Sequence, residues 1–241
     1  MCSKSHPFFI LFGLFILASC TETKDISFSE QSITTPDNTI VDINIPKAEG
    51  KNQVALYINE SLKQYVATAL QFNQDDNKTI NSIEENISNF NTEYINFKNQ
   101  FPESAQEWEA QIDGEVMFKS PELISISLTS YTNTGGAHGT LVITFLNFNA
   151  QTGELIKNEQ LFKDKDKFTQ FANPYFDDEI LDKKDMYLDT DNFVLPQNIG
   201  YSEDGLILLY NTYEIAPYTT GITEFVIPFD EANSYLNISG L

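Results

Sequence analysis

The hydrophobic period of this chain changes at Trp108, and that change limits the folds open to it. Ile80, Ile83, Ile87, Phe90, Tyr94, Phe97 and Phe101 fall at steps of three and four. Asn81, Glu84, Glu85, Ser88, Asn91 and Asn96 lie between them, so the segment reads as a helix with one apolar stripe and one wet face. Pro102 stops it, because proline lacks a backbone donor and restricts the residue before it. From Trp108 onward the step is two. EWEAQIDGEVMF, LISISLTSY and TLVITFLNF read as strands, with Ile124, Ile126 and Leu128 on one side and Ser125, Ser127 and Thr129 on the other.

The flanking segments follow the same two rules. TIVDINI (Thr39 to Ile45) is a leading strand within a polar stretch, Asp25 to Pro46. Val54, Ile58, Leu62, Tyr65, Val66 and Ala69 predict a helix from Asn52 to Phe72, and NQDDNK after it is a turn. Gly153 suits a tight turn in NAQTGEL. Lys165 to Asp182 reads as a helix broken or kinked at Pro174. Leu206 to Ile215 and Thr223 to Phe229 read as strands, and Asp230 as the cap of a short helix reaching Tyr235. The fold class is therefore α+β: a mainly antiparallel sheet covered by helices on one face, built as two intimately packed halves. The halves are residues 39–148 and 149–241, after a leader (1–19) and a tether (20–38).

Of the 241 residues, 41% are hydrophobic and 13% aromatic, enough for a packed core. The formal charge is −21 and arginine is absent, so every fixed positive charge is a lysine. Such a chain repels phosphate backbones and anionic headgroups, which excludes nucleic acid as a partner and favours a basic one. Lys4 followed by the apolar run PFFILFGLFIL (Pro7 to Leu17) has the form of a signal-peptide core, too short for a typical membrane span. The LASC that follows resembles the bacterial lipobox, which marks Cys20 for lipidation. Cys2 would leave with the leader, so the mature chain would hold neither a free thiol nor a disulfide. The expected location is the cell envelope, on a bacterial membrane through a lipid anchor, with the outer membrane favoured.

YTNTGGAHG (Tyr131 to Gly139) is the stretch whose residues look chosen. It joins two good strands, its glycines can take positive φ, and it holds the chain's one histidine outside the leader. His138 is a candidate general base, with Ser130 or Thr140 as nucleophile, yet no GxSxG elbow occurs. One histidine and one lipidated cysteine do not make a zinc site. DTDN (Asp189 to Asn192) and DKDK (Asp164 to Lys167) offer oxygens for calcium without EF-hand spacing, and read as solvated loop charge. With 35 acids in the chain a carboxylate pair carries no information about glycoside chemistry. The expectation is no cofactor, no metal and no catalytic residue.

SYTNTGGAHG resembles a signature of the extracellular module of RsiV-type anti-sigma factors, which also precedes the catalytic domain of PdaC-type peptidoglycan deacetylases. LYNTYEIAPYTTGITEFVIPF (Leu209 to Phe229) is similar to that family's second signature, with Tyr213 to Tyr218 its most specific part and Thr219-Thr220 a slight departure. The resemblance runs from about Ile40 to the C-terminus. It implies a compact α/β unit of two halves that, in RsiV-type proteins, binds lysozyme outside the cell. The deacetylase signature is missing from this chain. The resemblance makes Tyr131, Asn133, Gly135, Gly136, His138, Tyr213, Glu214 and Tyr218 the candidate binding residues. The further expectation is that Thr132–His138 and Tyr213–Tyr218 lie on one sheet and approach each other. The leading expectation is a lipid-anchored envelope protein without catalytic activity that recognises a basic cell-wall-active protein such as lysozyme. A peptidoglycan- or carbohydrate-binding module is the first alternative, motivated by Trp108, Tyr131, Tyr213, Tyr218 and the many asparagines; a hydrolase centred on His138 is the second.

Overall fold

The computed structural model describes residues 25–71 and 82–238. The leader, Cys20 and the turn at 73–78 lie outside the described residues. The first half contains β1 (Phe28–Ser32), β2 (Val41–Ala48), α1 (Gln53–Ala69), α2 (Ile83–Gln100), β3 (Glu109–Lys119), β4 (Leu123–Asn133) and β5 (Thr140–Asn149). The strands lie in the order β1-β2-β3-β4-β5. All neighbours are antiparallel except β2 and β3, which run parallel because α1 and α2 form the crossover between them. Both helices begin where the sequence supplies caps. Asn52 Oδ1 accepts the Ala55 N–H at 2.9 Å. Ser82 and Glu85 form a reciprocal capping box, which satisfies two otherwise orphaned donors.

The apolar stripes of α1 and α2 bury Ile58, Leu62, Val66, Ile87 and Phe90 against Ile43, Ile112, Ile124, Ile126 and Leu128 of the sheet. Trp108 joins this core. Its ring lies 5.4 Å from Phe97 and 5.9 Å from both Phe90 and Tyr94, and it is only 8% exposed. That removes Trp108 from any surface groove.

The second half contains α3 (Asn158–Leu161), α4 (Lys165–Glu179), β6 (Asn198–Tyr201), β7 (Leu206–Tyr210), β8 (Thr223–Ile227) and α5 (Phe229–Ala232). Its strands form a separate antiparallel sheet, β6-β7-β8. α4 runs through Pro174, because Phe168, Ala172 and Phe176 bury its inner face on both sides of the proline. Asp230 does not cap α5. Pro228 is the N-cap residue, and Asp230 sits inside the first turn.

The large sheet is covered on both faces, not one. Ser125, on the face away from α1 and α2, is fully buried and its Oγ accepts the Tyr201 N–H of β6 at 3.1 Å. Beside it, Asn147 Nδ2 donates to Ile199 O at 2.7 Å. Gly200 lies under the Phe145 ring, where a Cβ would overlap it. The period of two puts the β4 serines on the side opposite Ile124, Ile126 and Leu128; docking of the second half turns Ser125 there into an interior hydrogen-bond acceptor.

Candidate binding cleft

The hairpin of β4 and β5 pairs Tyr131 with Leu141 and Thr132 with Thr140, which places the loop 134–139 at its tip. Asn133 Oδ1 accepts the Gly135 N–H at 3.0 Å, a side-chain turn that starts the reversal. Gly135 takes φ 81°, in the left-handed region, and a Cβ there would come within 2.7 Å of Gln106 Oε1. Gly139 lets the Tyr131 ring lie across the loop. These residues shape the loop so that His138 is exposed at its outer end.

The second motif departs from its expected strand. β7 ends at Tyr210, and the backbone then turns at Tyr213, which takes φ 72° without being glycine. Asn211 fixes the turn against the first half: its Oδ1 accepts the Ile143 N–H at 2.8 Å and its Nδ2 donates to Ile143 O at 2.9 Å. Glu214 holds the turn from within, Oε2 accepting the Asn211 N–H at 2.9 Å and Oε1 the Gln197 N–H at 3.3 Å. A single helical turn, Tyr218–Thr220, follows Pro217.

The two motifs meet. The His138 ring stacks on Tyr218 with centroids 4.3 Å apart and planes 15° from parallel. Tyr213 lies 5.7 Å from Tyr218. Tyr213 is 67% exposed and Tyr218 38%, so both rings keep free surface. With Ala137, Leu141 and Thr212 they line a cleft of about 290 Å³. The approach expected from sequence is present, but the motifs belong to different sheets, and the cleft opens where the halves join. Of the eight candidates, His138, Tyr213 and Tyr218 line the cleft, whereas Tyr131, Asn133, Gly135 and Glu214 support it. Gly136 is exposed in the loop tip.

Leu141 and Asn211 were not foreseen as site residues. In an antiparallel ladder the backbone groups of alternate residues face opposite edges. Ile143 turns its N–H and C=O away from β4 to meet Asn211. Leu141, two residues earlier and on the cleft lining, therefore turns its own pair the same way. A lone leucine in a strand and one asparagine among many carry no local signal of this.

Among the described residues no hydrolytic triad is assembled at His138. Among the described residues no carboxylate or hydroxyl hydrogen-bonds its ring, and Ser130 Oγ faces Val142 O at 3.5 Å from a buried position. The two calcium candidates are used locally. Asp164 accepts the Lys167 N–H at 3.1 Å as the cap of α4, and that bond together with the Lys167 ammonium lowers its pKa. Asp189 closes a turn onto Asp191 and Asn192, and the Asn192 side chain lowers its pKa most. Among the described residues no group of three or more His, Cys, Asp or Glu side chains gathers as a metal set.

The molecule is thus of the α+β class, an open mixed five-stranded sheet packed on a smaller antiparallel one, with an aromatic cleft at their junction. Residues 33–140 match the family described as "Deacetylase PdaC", and residues 153–230 match "Protein of unknown function (DUF3298)". The chain carries the PdaC-type paired-domain module, whose second domain is described as of unknown function. Two crystal structures share the architecture. A DUF3298 family protein from Pseudomonas aeruginosa PAO1 superposes with TM-score 0.60 at 17% identity, covering 88% of this chain and 94% of that one. A DUF3298 family member from Bacteroides fragilis NCTC 9343 gives TM-score 0.62 at 19% identity, covering 90% and 96%. At such identity the likeness concerns the fold. No curated protein matches the sequence.

Proposed function

We propose that this chain is a lipid-anchored envelope protein that binds a basic cell-wall-active protein of the lysozyme type through the His138–Tyr213–Tyr218 cleft, and that it does so without catalysis. The observation that carries the reading is the contact between the two motifs: residues 80 positions apart stack their rings and still leave two tyrosine faces open. Exposed, positioned aromatics over backbone donors and acceptors are what a binding hot spot needs. The charge of −21 draws a cationic partner in and orients it. The lipobox supplies the anchor at Cys20, and the resemblance to RsiV-type modules supplies the partner class.

Immobilised protein and hen-type lysozyme at about 50 and 300 mM salt test it, since a steering contribution weakens as the Debye length shortens. The expected outcome is retention at both salts. Tyr213→Ala should weaken binding by about tenfold or more while leaving stability within about 1 kcal/mol, because the side chain is exposed. No retention at either salt removes the lysozyme reading. Labelling with radioactive palmitate, lost in Cys20→Ser, tests the anchor.

A second reading rests on Leu141. Its outward N–H and C=O beside the tyrosine faces match the amide of an N-acetylated sugar whose ring stacks on Tyr213. Co-sedimentation with purified peptidoglycan, lost in Tyr213→Ala, would favour this glycan over the protein partner.

A further inference from the structure

A second and larger concavity, of about 710 Å³, lies between α4 and β8. Its floor is the outer edge of the smaller sheet, unpaired among the described residues, since β8 is the end strand beside β7. The hydrogen-bond register shows which backbone groups are open there. Ser202 and Gly205 bond to each other in both directions, at 2.9 and 3.4 Å. Counting on by twos, Ile207 and Leu209 face β6, so Leu206, Leu208 and Tyr210 face β8. Their partners Ile227, Phe225 and Thr223 carry the β7–β8 ladder. Glu224 and Val226 therefore turn their N–H and C=O groups to the open edge, and both line the concavity. Two donors and two acceptors stand there at a strand's own spacing of roughly 7 Å per two residues.

The walls decide what can bind. Pro174, Tyr175, Asp178 and Glu179 of α4 flank the edge. Glu231 accepts a hydrogen bond from Tyr175 Oη at 2.5 Å, adding a further carboxylate nearby. Lys183 stands 3.5 Å from Glu179 in a partly exposed pair, and Lys184 3.9 Å from Asp177 in an exposed one; pairs so open to solvent are weak. Asp178 and Glu224 have no ion pair among the described residues. Partial burial, and secondarily Glu179, raises the Glu224 pKa. A cation at this edge relieves the repulsion between the two glutamates. An acidic strand is repelled, which disfavours a second copy of this chain, itself at −21 and without arginine.

We propose that the β8 edge is a strand-addition site for a lysine- or arginine-rich extended peptide, held by the backbone groups of Glu224 and Val226 and selected by Asp178, Glu179 and Glu224. The site is separate from the aromatic cleft and does not rest on the reading of that cleft. Its occupant has alternating side chains, with basic residues meeting the acidic walls.

The probe is a fluorescein-labelled Lys-Val-Lys-Val-Lys-Val peptide, followed by anisotropy with the full chain. Saturable binding is expected, with affinity falling about tenfold when alternate peptide amides are N-methylated, as two edge hydrogen bonds are lost. Val226→Pro deletes one outward donor without touching the β7 ladder, a position where an edge strand tolerates proline. It should weaken binding about tenfold, and Glu224→Lys about as much. Tyr213→Ala should leave the affinity unchanged, which separates this site from the cleft. Equal binding of the N-methylated peptide, or of Glu-Val-Glu-Val-Glu-Val, overturns the proposal, as does no saturable binding. If Val226→Pro fails to fold by circular dichroism, the N-methylated peptide on the unaltered chain decides the matter.

Discussion

Glu214 and Glu224 sit ten residues apart on either side of the Tyr218 turn, and the molecule uses them in opposite ways. Glu214 spends both oxygens on backbone N–H groups, of Asn211 and Gln197. Glu224 makes no side-chain bond of this kind among the described residues and stands on an edge facing other carboxylates. The same contrast holds for the regions around them. In the cleft, the motif residues mostly hold one another in place, and three of their rings, His138, Tyr213 and Tyr218, line the cavity beside Leu141. In the groove, the backbone and acids of the edge have little internal work. Conspicuous sequence therefore marks where the scaffold is demanding, and free binding chemistry is whatever the scaffold does not consume.

The largest test of this contrast is Asn211→Ala. It removes both hydrogen bonds to Ile143 at a half-buried junction and should destabilise the protein by about 2 kcal/mol in urea unfolding. A loss below about 0.5 kcal/mol would mean that the cleft is not held by this bracket. Next is Glu214→Ala, expected to cost about 1 kcal/mol, since its partners are backbone donors near the surface. The smallest effect, and one of opposite sign, belongs to Glu224→Gln. Because the folded-state pKa of Glu224 is raised, folding favours its protonated form. Its contribution is therefore lost stability once pH rises through the unfolded and then the folded value. Glu224→Gln should raise the melting temperature slightly at neutral pH and leave it unchanged below the ordinary carboxyl value of 4.5. A neutral-pH decrease would place Glu224 with Glu214 among the holding residues and erase the contrast.

Much of the architecture was legible. The three-and-four spacing through Ile83, Ile87 and Phe90 describes an element whose burial depends on its own amphipathic face, so α2 appears where expected. The alternation in β4 and β5 likewise needs only a sheet to lie on. β6 was missed because its four residues, Asn-Ile-Gly-Tyr, show no usable period; it exists through Ser125, Asn147 and the Phe145 ring that Gly200 admits. The strand read through Ile215 stops at Tyr210 because Asn211 bonds sideways to β5 instead of continuing the ladder. Of the site, the two motifs and their approach were expected from the sequence; the stacking of His138 on Tyr218, and the placement of the motifs on different sheets, came only with the structure. So did the role of Leu141, because backbone direction at an edge depends on register.

By itself the sequence determined the helix and strand periods, the caps at Asn52 and Ser82, the loop glycine at 135 and the acidic charge, because each depends on neighbours within a few residues or on composition alone. Only the tertiary structure decided that there are two sheets, that Ser125 is interior, that Glu214 is consumed while Glu224 is unbonded among the described residues, and that two distant motifs form one cleft. Those outcomes depend on which surfaces dock and in what register, and docking energy is summed over contacts between residues far apart in the chain.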